Sequence, residues 1–355
     1  MCHGRTIGGA FSKAEGGKLK AEKVACRFPI SAFPFPLSHF RFPISASPFP
    51  LSHFRFPIFA FPFSLSHFRF PSSMKRIEIL PGIETSALGF GCAPILGAVD
   101  GAAARVALAA ALNVGITHFD LARSYGYGQA ERFVGNFLNG RRAEVTIATK
   151  FGIEATPMAA LLSPVKPFLR FFRPSGNKPS GDTQPRVSGG AGSKIANLLH
   201  KRHAITSDRL RLSLETSLRQ LKSDYVDILL IHEPVGSITA IDDLITTANT
   251  MKAAGKLKAF GIAFMQNQET LHKTYLDRFE VQQFDNSPGT EHYQKTVRER
   301  ALAANIFFSP FRGAKEKSEP AQILQQLHAD FPNSVTLCSM FNPKHIRQNA
   351  AAFAE

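Results

Sequence analysis

SDRLRLSLETSLRQLKSDYVDILLIH, residues 207–232, contains one complete helix-then-strand unit. Leu210, Leu214, Leu218 and Leu221 recur at helical spacing and form one apolar stripe over 207–222. Asp208 falls in the first turn, where the helix dipole favours a carboxylate. The apolar run VDILLIH, 226–232, predicts a strand directly after it. The same alternation extends in both directions. Strands are expected at 87–92, 118–122, 145–150, 259–263, 281–285, 305–310 and 335–340, after a hairpin-like lead at Arg76–Leu80 that turns at Pro81-Gly82. Helices are expected near 101–114, 129–139, 240–255, 266–276, 291–303, 319–329 and 343–353. Eight strands alternating with eight helices is the count of an α/β chain folded as a (β/α)8 TIM barrel. An open, doubly wound sheet alternates in the same way and is the competing architecture.

Two segments depart from this rhythm. Residues 151–206 form a long insertion after the third strand: its first part is apolar and broken by proline, and its second is rich in Gly, Ser and Pro. A connection of that length is usually a lid or a disordered linker, and in a barrel it would leave the face where active sites lie. Residues 1–73 are the second. From Arg27 they repeat every 14 residues, as RFPISAFPFPLSHF (27–40), RFPISASPFPLSHF (41–54) and RFPIFAFPFSLSHF (55–68). Proline every few residues forbids a continuous helix or a central strand, so this stretch is expected to be non-globular, and either dispensable or no part of the native protein. The compact domain is expected over 74–355, opening at Met74 with MKRIEIL. A Phe/Pro-rich basic arm would alternatively attach the protein to a membrane surface or a partner.

Composition narrows the class. The chain has 355 residues, of which 44% are hydrophobic and 19% charged, which excludes wholesale disorder, a coiled coil and a collagen-like chain. Its net charge of +15 suggests nucleic acid until it is located: 1–73 carry +7 and 151–204 carry +6, leaving +2 for the rest. A basic tail and a basic loop are a poor nucleic-acid footprint, and no nucleic-acid partner is expected. Cys2, Cys26, Cys92 and Cys338 are scattered, which fits neither a disulfide framework nor a zinc site and suits a reducing, cytoplasmic setting. No apolar run reaches the length of a membrane span.

In a parallel barrel, successive strand ends share one rim, so polar residues there meet in space. Asp120 lies near the end of strand two (HFDLA), Lys150 closes strand three (IATK) and His232 closes strand four (DILLIH). Tyr125 follows Asp120 by five residues in SYGYG. Together these types make an acid/base site. A phenol near pKa ~10 is a poor proton carrier at neutral pH, and a lysine ammonium beside it would lower that value. Asp120 would keep the lysine charged, and His232 would orient a substrate oxygen. Such a set suits protonation of a carbonyl oxygen. No side chain delivers hydride, so a nicotinamide or flavin is required.

At these residues the sequence resembles the aldo-keto reductase family of NAD(P)-dependent barrel oxidoreductases. GITHFDLARSYGYGQAE (115–131) is similar to the family signature Gly-Ile-x-x-Phe-Asp-Thr-Ala-x-x-Tyr-Gly, with the same Asp-to-Tyr spacing. Thr149-Lys150 matches its strand-three Thr-Lys, SLRQLKSDYVDILLIHEP (217–234) its segment ending at the catalytic histidine, and GKLKAFGIA (255–263) its fifth strand. The resemblance covers most of 74–355 outside the insertion. It implies Tyr125 as proton donor, Lys150 and Asp120 as its tuners, and His232 as the residue that orients the carbonyl.

On the cofactor side the resemblance points to Gly91, Cys92, Gln283 and Ser309, with Gln282 an alternative register to Gln283. In SMFNPKHIRQN (339–349), His345 stands where many members place an arginine for the 2′-phosphate of NADP, flanked by Lys344 and Arg347, while Asn349 matches the asparagine near the adenine. NADP(H) is therefore preferred and NAD(H) possible. One position departs: the family's Ser-Asn, which holds the nicotinamide carboxamide, reads Ala263-Phe264 here. The expected function is reduction of a small carbonyl substrate. The alternative is a catalytically degenerate, nucleotide-binding regulatory or scaffold protein on the same barrel. Because the chain stops soon after the last helix, an open site for larger carbonyls is expected.

Overall fold

A strand buried at every position needs cover on both faces, and the strands 88–91, 146–151 and 226–232 are buried throughout. In the computed structural model, which describes residues 74–156, 158–159, 199–314 and 318–354, these strands close on themselves. The short hairpin β1 (Arg76–Leu80) and β2 (Ile83–Ser86) is antiparallel and precedes the barrel. The barrel strands are β3 (Leu88–Gly91), β4 (His118–Asp120), β5 (Thr146–Phe151), β8 (Val226–His232), β9 (Leu257–Phe264), β10 (Val281–Asp285), β11 (Asn305–Phe308) and β12 (Val335–Cys338). Each pairs in parallel with the next. β12 pairs with β3, Cys338 opposite Phe90, and that last ladder closes the barrel and excludes the doubly wound sheet. The ends of the domain also meet: Lys75 N donates to Phe353 O at 2.8 Å, and Met74 bridges Ala354.

The outer layer contains α1 (Gly101–Asn113), α2 (Ala130–Phe137), α3 (Ser207–Leu221), α4 (Ile241–Ala253), α5 (Glu269–His272), α6 (Tyr293–Arg300), α7 (Pro320–Asp330) and α8 (Pro343–Ala351). In α3 the expected leucine stripe faces inward, joined by Ser213 and Ser217, and Thr206 caps the first turn by accepting from Arg209 N. One expected helix fails. Residues 266–276 contain only the single turn α5 between two 3-10 turns, Gln266–Gln268 and Leu276–Arg278. Tyr275 is drawn into the core, its hydroxyl 2.7 Å from His272 Nδ1 and accepting from Ile238 N at 3.0 Å, so the chain turns inward where an amphipathic helix would continue along the surface. Three strands also stop two residues short of expectation, at Asp120, Phe308 and Cys338.

The insertion is anchored at its root. β6 (Ile153–Ala155) pairs antiparallel with β7 (His200–Arg202), a two-stranded ribbon within a stretch expected to lack strands. The expected non-globular arm, residues 1–73, and the body of the expected lid or linker, residues 157 and 160–198, lie outside the described residues. No described helix is long and apolar enough to cross a membrane.

Candidate active site

Side chains in a strand alternate sides, and parallel pairing keeps opposite residues on one side. His232 pairs with Ala263, and Ala263 with Gln283, so these three form one layer at the carboxyl end of the barrel. Asp120 is the last residue of β4, and Lys150 lies one residue from the end of β5. Tyr125 opens the 3-10 turn Tyr125–Gly128 that follows β4. That turn needs its glycine: Gly126 has φ +56°, and a Cβ there would lie 2.7 Å from Ile95 O.

The four catalytic candidates meet. Lys150 Nζ donates to Asp120 Oδ2 at 2.6 Å, to Leu121 O at 2.9 Å and to the Tyr125 hydroxyl at 3.2 Å. The Tyr125 and His232 rings are edge-on, with centroids 6.0 Å apart. Gln283 Nε2 crosses the lumen to donate to Asp120 Oδ1 at 2.8 Å. This resolves the register: Gln283 is in the site, whereas Gln282 Nε2 bonds Leu276 O outside the barrel wall. His232 Nδ1 and Gln283 Oε1 are buried with no hydrogen-bond partner among the described residues.

Burial sets the protonation states. It is the largest influence on His232, with the Lys150 charge next, and together they hold the imidazole well below its ordinary pKa and so neutral. Burial likewise pushes the Tyr125 phenol up to about 12. The Lys150 ammonium pulls it down, as expected from the sequence, but the loss of solvent outweighs that pull, which corrects the expected net direction. Burial also works against the charge on Lys150, yet Asp120 and Tyr125 overcome it and raise the lysine's pKa.

Other site residues were less visible in the sequence. Glu131 is buried, accepting from Thr149 Oγ1 at 2.7 Å and pairing with Arg123 Nη1 at 2.6 Å, which braces β5 immediately before Lys150. A buried carboxylate needs such partners, and the only signal was the pair Arg123 and Glu131 eight residues apart within LARSYGYGQAE. Asn286, just past β10, buries both amide atoms without a hydrogen-bond partner among the described residues, and nothing in VQQFDN marked it.

The cofactor candidates divide. Gln283 Oε1, an orphaned acceptor beside Asp120, fits the amide N–H of a nicotinamide carboxamide. Ala263 offers only a methyl group in that layer, while Phe264 packs against Phe284 at 5.5 Å and His272 at 6.0 Å and offers no hydrogen bond. Lys344, His345 and Arg347 are exposed on α8, and Asn349 is half-buried with its Nδ2 3.2 Å from Met340 Sδ. Ser309 takes a left-handed φ of +54° directly after β11. Gly91 lies where a Cβ would come 2.7 Å from Ser339 Oγ. Cys92 is fully buried, and burial drives its thiol well above the ordinary range.

The model of the Aldo/keto reductase family matches residues 87–307, more than half of the chain. The chain belongs to that family. It is 30% identical to the 6-dehydroglucose reductase of Agrobacterium fabrum over 195 residues, 54% of each chain. It is 28% identical to a D-threo-aldose 1-dehydrogenase of a Pseudomonas species over 202 residues, 55% of this chain and 54% of that one. The chain thus spans about half the length of the curated relatives it matches. An aldo-keto reductase of Klebsiella pneumoniae solved in complex with NADPH shares the fold, with a TM-score of 0.51 and 19% identity, over 79% of this chain and 89% of that one.

Proposed function

We propose that this aldo/keto reductase family member reduces an aldehyde or ketone to the alcohol, with Tyr125 giving the proton. The observation that carries the reading is the buried Lys150 ammonium, bound at once to Asp120 and to the Tyr125 hydroxyl, with His232 edge-on to the same phenol. Neutral His232 donates an N–H to the carbonyl oxygen and turns it toward Tyr125. The Tyr125 O–H bond breaks as its proton passes to that oxygen. The phenolate left behind lies 3.2 Å from Lys150 Nζ, whose charge is more valuable in a water-poor site than in solvent. Asp120 keeps Lys150 charged through this step, and solvent restores the phenol afterwards. A reduced nicotinamide, when bound, supplies the hydride for the carbonyl carbon. Gln283 would hold its carboxamide, and the cations of α8 would favour NADPH over NADH.

The test is a panel of carbonyls with both cofactors. The names of the relatives direct that panel toward sugars and other aldehydes. Tyr125→Phe should lower carbonyl-dependent NADPH oxidation on the order of 10²–10⁴-fold and leave NADPH binding unchanged. Wild-type turnover in that variant would remove the mechanism. The second reading, a nucleotide-binding scaffold without catalysis, is motivated by Ala263-Phe264 and by the basic insertion. Tight NADPH binding without turnover on any carbonyl would select it.

A further inference from the structure

The insertion does more than interrupt the barrel; its root touches the backbone on either side of the reacting groups. Arg202, on β7, donates from Nη1 to Glu233 O at 2.6 Å, and Glu233 is the residue directly after His232. Glu233 is left-handed at φ +43°, a costly conformation for a residue with a side chain. Its N–H is held by Ala263 O at 2.8 Å, and Arg202 also lies 3.8 Å from its carboxylate. At the other end of β7, His200 Nε2 donates to Ser124 O at 3.3 Å, the carbonyl directly before Tyr125. The His200 ring is stacked on Tyr127, with centroids 6.3 Å apart and planes 24° apart.

The ribbon itself is fixed to the barrel. His203 N donates to Gly152 O at 2.8 Å, and Gly152, at φ +108°, leaves the end of β5 where a Cβ would meet Ile205 at 2.7 Å. Glu154 on β6 holds His203 at 3.5 Å and Arg209 at 3.8 Å. One short strand therefore grips the peptide before the phenol and the peptide after the imidazole, and these groups come from different barrel strands. Their mutual placement is what proton transfer depends on, and a displacement of about 1 Å costs on the order of 100-fold in rate.

We infer that the β6–β7 ribbon is a positioning device for the site, with Arg202 setting His232 through Glu233 and His200 setting Tyr125 through Ser124. The inference rests on the carbonyl-reduction reading for its rate consequence but not for its geometric one. Neither residue is placed in contact with substrate; both hold backbone beside the reacting groups, and the Arg202 charge also bears on His232 through space, helping to keep it neutral. A ribbon that merely closed the insertion would leave His232 where it is when Arg202 is cut.

The experiment uses the full chain carrying Arg202→Ala, Arg202→Lys and His200→Gln. Arg202→Ala should lower kcat about 10-fold or more, with KM, NADPH affinity and Tm close to wild type; Arg202→Lys, which keeps one donor on a long stem, should recover part of the loss. The readout that does not need turnover is the NMR signal of the His232 ring in histidine-labelled protein, assigned with His232→Asn. It should move in Arg202→Ala and return toward wild type in Arg202→Lys. An unmoved His232 signal, or a variant with unchanged kcat, would overturn the inference. A loss of rate matched by a collapse of Tm in both Arg202 variants would overturn it too. If the wild-type chain reduces no carbonyl, the proposed function fails, while the His232 signal still decides the positioning claim.

Discussion

His118 offers a quantitative test of the barrel interior. It begins β4, is fully buried, and has only Thr85 Oγ1 near its Nδ1, at 3.5 Å; Nε2 has no partner among the described residues. Burial, which penalises the imidazolium, lowers its pKa from 6.5 to about 4, against the opposing pull of Asp120 and Asp227. Above 6.5 the ring is neutral in both folded and unfolded chains and contributes no pH dependence. As pH falls below 6.5 the unfolded chain takes up a proton that the native chain refuses, so stability is lost until the native ring also titrates near 4. At about 1.4 kcal/mol for each tenfold rise in proton activity, the total loss is about 3 kcal/mol. His118→Leu removes this contribution. Urea unfolding of both proteins, followed between about pH 7 and about pH 4.5, should show the wild type losing about 2.5 kcal/mol more than the variant. With a slope of about 3 kcal/mol per molar urea, their midpoints would diverge by nearly ~1 M. The other buried histidines are common to both chains and cancel. Parallel acid limbs in the two proteins would refute the argument that His118 is held neutral by burial.

Three further outcomes are expected. Gly126→Ala should be destabilising by more than ~1 kcal/mol and should cost turnover, because it strains a left-handed turn against Ile95 O next to Tyr125; denaturant melts and kcat check it. Ala263→Ser should tighten NADPH binding several-fold by returning a hydroxyl to the His232–Gln283 layer, and an isothermal titration with no gain would sink that assignment. Residues 74–355 expressed alone should fold with the Tm and turnover of the full chain, since all eight strands of the closed barrel lie within them; a loss of either measure would show that 1–73 are needed.

Much of the barrel was legible because buried parallel strands write themselves as apolar runs. VDILLIH and VQQFD occupy β8 and β10 with their expected limits. Expectation failed where a single side chain decides the path: Tyr275 turns inward and breaks the helix expected over 266–276. Asp120, Tyr125, Lys150 and His232 were readable because each lies at or within one residue of a strand end or follows one, and barrel geometry then brings such ends together. The sign of the Tyr125 shift was not readable, since a charge beside a group is visible in sequence but the depth of its burial is not. Nor were Arg202 and His200, whose contacts to Glu233 O and Ser124 O depend on a ribbon paired across a gap of more than forty residues.

The hydrogen bond from Lys75 to Phe353 and the bridge from Met74 to Ala354 imply that connectivity at this seam is incidental to the architecture. A few small residues would splice the two ends, and new termini could be opened at an exposed loop such as that around Gly140. A permuted chain of this kind would keep every barrel ladder while making β5 the first barrel strand to leave the ribosome.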